Sequence, residues 1–80
     1  MKYYWQVWDM IDWGEINFQG AYSTKDLAVE AARALASQPY RDDPMLEYLE
    51  PETWGDRPSF RISEYVLIRE ATMDGNDGAV

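Results

Sequence analysis

Residues 2–11, KYYWQVWDMI, contain no glycine or proline and are dense in aromatic and branched side chains, which predicts a β-strand. Alternation sends Tyr3, Trp5 and Val7 to one face and Tyr4, Gln6 and Trp8 to the other. Rings on both faces need cover on both sides, so this strand is expected in the middle of a sheet. Asp12-Trp13-Gly14-Glu15 reads as a turn, with Gly14 free to take positive φ. Residues 16–22, INFQGAY, alternate again, with Ile16, Phe18 and Tyr22 on one face and Asn17 and Gln19 on the other. Gly20 interrupts that pattern and marks a bulge or a close approach. The two strands are expected to form an antiparallel hairpin.

A change of period marks a helix. Ser23 reads as the N-cap, with Asp26 three residues later as a capping-box variant. Tyr22 and Leu27 are placed for a hydrophobic staple, and Asp26 suits the positive helix end. Leu27, Ala28, Ala31, Ala34 and Leu35 form an apolar stripe, leaving Lys25, Glu30 and Arg33 outside. The alanines let the helix lie close to a sheet crowded with rings. Gln38-Pro39 ends it.

Asp43-Pro44 resembles an N-cap followed by proline at the first helical position, predicting a short second helix to about Glu50. Met45, Tyr48 and Leu49 would share its inner face, with Asp43, Glu47 and Glu50 outside. PETWGDRP, residues 51–58, is a loop by composition. SFRISEYVLIRE, residues 59–70, reads as the last strand, with Phe60, Ile62, Val66 and Ile68 alternating. A bulge near Ser63-Glu64 would instead turn Tyr65 and Leu67 inward, and alternation does not choose between the two. The expected fold is α+β: a three-stranded antiparallel sheet in order 2-1-3, one main helix on one face and a short second helix. Residues 1–70 make a single domain, and the aperiodic residues 71–80 read as a disordered tail.

The charge is unevenly distributed. Asp42, Asp43, Glu47, Glu50, Glu52 and Asp56 fall in a segment without Lys or Arg, net −6, whereas residues 1–41 and 57–80 are each at −1. Such a block repels nucleic acid and membrane surfaces and attracts basic protein surfaces, although it also serves solubility. Within or beside acidic stretches, Trp54 and Trp13 are each either a plug on the core or an interface anchor. The candidate partner-binding residues are therefore Asp42, Asp43, Glu47, Glu50, Glu52, Trp54, Asp56 and Trp13. Direct nucleic-acid binding is disfavoured, because phosphates must be neutralised and Arg57, Arg61 and Arg69 are offset by Glu64 and Glu70.

The chain has no cysteine and no histidine, which removes disulfides, thiolate metal sites and the usual neutral-pH general base. No serine has an identifiable base beside it. An enzyme is not expected, and no catalytic residue is assigned. Asp74-Gly75-Asn76-Asp77-Gly78 fails the spacing of a calcium loop, and Asp42, Asp43 and Glu47 would at most hold calcium weakly, so no metal or cofactor is expected. No window approaches a membrane span, and MKYYWQVWD does not read as a secretory signal; a cytoplasmic protein is expected.

An aromatic first strand (YYWQVW), the junction GAYSTKDLAVEAARAL and a last strand of the type FRISEYVLI make this layout, over roughly residues 2–70, similar to that of small phage and mobile-element proteins, including several anti-CRISPR proteins and other anti-defence inhibitors. No functional motif of that group matches residue by residue, so no site residue is carried over. The resemblance implies a small, acidic, non-enzymatic viral protein acting in the host cytoplasm by binding a larger protein, often at a basic surface that holds nucleic acid. A second class is a self-associating assembly module, a homodimer formed through Tyr4 and Trp8 on the uncovered sheet face or through an edge strand.

Overall fold

The structure is a computed structural model describing residues 2–10, 16–53 and 55–73. The elements run β1 (Tyr3–Asp9), β2 (Asn17–Tyr22), α1 (Lys25–Ala36), β3 (Met45–Glu52), β4 (Ser59–Ser63) and β5 (Val66–Thr72). They form one five-stranded sheet in order β2-β1-β5-β4-β3, and every neighbouring pair is antiparallel. The class is α+β, but the three-stranded sheet and the short second helix are both overturned. Two local facts account for the difference.

First, the expected last strand is two strands. Ser59 pairs with Arg69, Phe60 with Ile68 and Arg61 with Leu67, so the chain reverses about Glu64. A reversal centred on one residue keeps Phe60, Ile62, Val66 and Ile68 on one face, as a straight strand would; alternation cannot tell them apart. No glycine builds this turn. The Ser63 hydroxyl accepts from the Val66 N–H at 3.1 Å and donates to Asp43 at 2.9 Å. The second Asp43 oxygen accepts from the Tyr65 N–H at 3.2 Å. Glu64 N–H donates to the Pro44 carbonyl, and the Tyr65 carbonyl accepts from Met10. The turn is thus satisfied by distant parts of the chain.

Second, residues 45–52 extend along β4 rather than coiling. Glu50 faces Arg61, Pro51 faces Phe60 and Glu52 faces Ser59, with a register irregularity between Met45 and Glu50. That irregularity breaks the alternation a strand would show. Asp43 and Pro44 start no helix, because the Asp43 carboxylate is engaged at the β4–β5 turn. Tyr48, assigned to an inner face, is exposed, and Pro51 is tolerated because β3 is an edge strand.

β1 lies between β2 and β5, as its two aromatic faces require. Trp5 and Val7 face α1, and the core joins Val7, Ile62, Val66 and Ile68 to Ala28, Ala32 and Ala36. The helix stripe is therefore rotated from the expected one: Leu27 and Ala34 are exposed, and the buried line is three alanines at i, i+4 spacing. Alanine there lets the helix backbone settle onto the sheet. Thr24, not Ser23, caps the helix, its hydroxyl accepting from Leu27 N–H at 3.2 Å. Lys25 does not face away; its ammonium lies 4.0 Å from the Phe60 ring centre.

In β2, the strand pairing shifts between Val7 and Trp8, so that Val7 faces Gly20 and Trp8 faces Phe18. Gln19 is the extra residue, and the bulge separates Phe18 from Tyr22, which alternation had placed on one face. On the sheet face opposite α1, Gln6 donates to the Tyr4 hydroxyl, Trp8 donates to Gln6, and Trp8 meets Phe18 edge to face at 5.3 Å. β5 runs two residues into the expected tail, and residues 74–80 lie outside the described residues, as do the turn residues 12–15. Among the described residues no helix is long and apolar enough to cross a membrane.

Gly55, between β3 and β4, has φ +87°, and a Cβ there would lie 2.8 Å from the Arg69 guanidinium. Gly55→Ala should therefore destabilise the fold by about 1–3 kcal/mol, from backbone strain and the displaced arginine. Urea unfolding checks this; a loss below about 0.5 kcal/mol, the range of an indifferent surface change, would show that the loop yields freely.

Candidate functional site

The acidic residues were expected on a helix and loop; the fold puts Glu47, Glu50 and Glu52 on the β3 edge strand and Asp42 and Asp56 in the segments beside it. Asp42, Glu47, Glu50 and Asp56 are exposed, and among the described residues no ion pair reaches them. β3 is hydrogen-bonded to β4 on one side only; Glu47 and Glu50 stand on its backbone, while Asp42 lies in the segment before it and Asp56 in the loop after it. Only Glu50 and Glu52 are two residues apart on this strand, a repeat of about 6.6 Å. Tyr48, 74% exposed, stands among them. Sequence reasoning missed Tyr48 because helical spacing assigned it inward.

Glu52 is half-buried, and its carboxylate accepts from Arg61 Nε at 3.1 Å across the β3–β4 pair. It belongs to the edge but is already partly neutralised. Trp54 and Trp13 lie outside the described residues.

Asp43 leaves the set altogether. Arg41 donates to Asp9 through Nη1 at 2.9 Å and Nη2 at 3.1 Å, and through Nη2 to Asp43 at 3.0 Å. The three side chains are 4%, 7% and 0% exposed. Burial in this arrangement makes Asp43 a fixed part of the fold, unable to meet a partner's surface. Hydrogen bonding to Asp9 raises the Arg41 pKa above its ordinary value; Asp43 adds to this and burial opposes it. A base whose pKa is raised gives up its proton only as pH climbs through the folded value, so this arginine stays charged throughout the working range. Nothing in the sequence pairs Asp9 with Arg41, which are 32 positions apart.

Two cations elsewhere are also engaged. Arg57 pairs with Glu70 and lies over the Tyr3 ring at 4.4 Å. Lys25 covers Trp5 and Phe60. With Arg41 and Arg61 also taken up by carboxylates, the exposed acids of β3 dominate their edge. Among the described residues, no three Asp or Glu side chains converge to hold a metal ion.

No protein-family model, curated protein or solved structure matches the chain.

Proposed function

We propose that this chain is a small, non-enzymatic binding protein whose acidic sheet edge docks on a basic surface of a larger protein, one that otherwise holds nucleic acid. In line with the phage-inhibitor resemblance, the target is a host defence protein and the place of action the host cytoplasm. The observation that supports this is the set Asp42, Glu47, Glu50 and Asp56: exposed, without ion pairs among the described residues, and carried by or beside one edge strand. Exposed carboxylates along one edge match a groove of Arg and Lys built for phosphates. Tyr48 adds a rigid ring of the kind that anchors interfaces.

Charge on an edge strand also keeps sheets from joining edge to edge. Charge reversal separates that role from recognition, because lysine protects an edge as well as glutamate does. The triple variant Glu47→Lys, Glu50→Lys and Asp56→Lys should keep the wild-type far-UV spectrum and lose affinity about tenfold or more per reversed charge. Tagged wild-type protein in bacterial lysate should retain a nucleic-acid-processing protein at low salt and release it at high salt. Retention of the same protein by the triple variant would rule out the acidic edge as the docking surface.

A further inference from the structure

β3 is held firmly at its ends and loosely between them. At its entry the chain is pinned by buried bonds. Arg41 donates to Asp9 on β1, Asp43 accepts from the Ser63 hydroxyl and the Tyr65 N–H, and the Pro44 carbonyl accepts from Glu64 N–H at 3.2 Å. After the strand, the ion pair of Arg57 with Glu70 ties the returning loop to β5. Between these points the attachment thins. Met45 pairs with Ser63 and Glu50 with Arg61, so that Leu46, Glu47, Tyr48 and Leu49 lie opposite Ile62. Four residues facing one cannot keep a regular ladder. Pairing resumes from Glu50 to Glu52, where the partly exposed Glu52–Arg61 pair adds little. None of the eight β3 residues is buried. The buried core comes from β1, β4, β5 and α1, and Leu49 is the β3 side chain packed against it.

We infer that β3 is a flap: residues 45–52 open from β4 as a unit, hinged at the Asp43 network, while the four-stranded remainder and α1 stay folded. Local opening follows the elements with few buried apolar contacts and sparse hydrogen bonding, and β3 has both properties. Opening breaks a short stretch of ladder and the packing of Leu49. It leaves intact the core of Val7, Ile62, Val66 and Ile68 under the helix alanines. It also leaves the Asp43 carboxylate in place, because that group bonds to the β4–β5 turn and not to β3. In the open state β4 becomes the edge of the sheet, and Glu47, Tyr48 and Glu50 move away with the strand. Under the docking proposed above, a partner that grips those residues holds the flap shut, since whatever binds one state alone draws the equilibrium toward it.

Native-state hydrogen exchange on the free chain, followed by NMR as urea rises below the unfolding transition, tests this. Amides bonded between β3 and β4 should exchange about a hundredfold or more faster than those bonded between β1 and β5, with a weaker dependence on urea. The Tyr65 and Val66 amides, bonded to Asp43 and Ser63, should stay with the slow group. Leu49→Ala should speed the β3–β4 amides a further tenfold or so and leave the β1–β5 amides within about twofold. If that variant does not fold by circular dichroism, the wild-type urea series decides alone. Exchange of the β3–β4 and β1–β5 amides at one rate with one urea dependence overturns the inference, because β3 then opens only with the whole molecule. So does a Tyr65 amide that exchanges with the β3 group, because Asp43 is then no hinge, and so does equal acceleration of both groups by Leu49→Ala. All of these are read on the chain without a partner, so they are independent of whether the triple charge reversal abolishes capture.

Discussion

Replacing Arg41 with alanine should cost about 3–5 kcal/mol of folding stability, because it leaves Asp9 and Asp43 buried without their counter-ion. A domain of this size has roughly 5 kcal/mol to lose, so much of the variant should be unfolded at room temperature. Three parts of the chain meet at that guanidinium: the end of β1, the segment entering β3 and, through Asp43, the β4–β5 turn. The network is not fully satisfied, since Arg41 Nε has no acceptor among the described residues. Removing charge in pairs should therefore be milder than removing it singly. In the double variant Asp9→Leu with Arg41→Met, Asp43 keeps Ser63 and the Tyr65 N–H, and less than half the single-variant loss is expected. Urea unfolding followed by circular dichroism distinguishes the two. A loss under about 1 kcal/mol for Arg41→Ala would place that side chain in water, as surface ion pairs are.

Ile68→Ala should cost about 2–5 kcal/mol, through lost burial and the cavity left behind. Ile68 is 0% exposed and lies on β5, the middle of the five strands, with Val7 opposite on one side and Phe60 on the other. Both neighbours belong to the layer under α1, where the core alanines leave little side chain to swing into a vacancy. Phe18→Ala, at the exposed β2 edge, should cost less than about 1 kcal/mol despite the larger side chain removed. Comparable losses at the two positions would place residue 68 at an edge, where the three-stranded arrangement had put it.

The parts of this fold that were legible in the sequence are those whose signals are local. The first strand shows its interior position in rings on both faces, the glycine at position 20 marks the neighbourhood of a bulge, and Pro39 ends the helix region within a few residues of where it stops. The cap was off by one residue, because Ser23 and Thr24 are both hydroxyl side chains and only the backbone decides between them. What was not legible depends on contacts far apart in sequence. The turn at Glu64 lacks glycine and works because Asp43 and Pro44 reach it. The same engagement removes Asp43 from the helix start that its sequence resembles. The error in the site follows from the error in the fold: one buried carboxylate does two things that local reading assigned otherwise. Asp42, Glu47, Glu50 and Asp56 kept their exposure because solvated charge is the default for Asp and Glu whether the backbone is coiled or extended.

Acting as an acidic inhibitor requires that the β3 edge occupy a surface that holds nucleic acid. The deciding measurement is competition, by fluorescence anisotropy, between this chain and a labelled oligonucleotide for the protein that the chain captures. Displacement of the oligonucleotide by the wild-type chain, weakening with salt and absent for the variant reversed at Glu47, Glu50 and Asp56, is the predicted result. An oligonucleotide that stays bound while the chain binds beside it, or that the reversed variant displaces equally well, would contradict it.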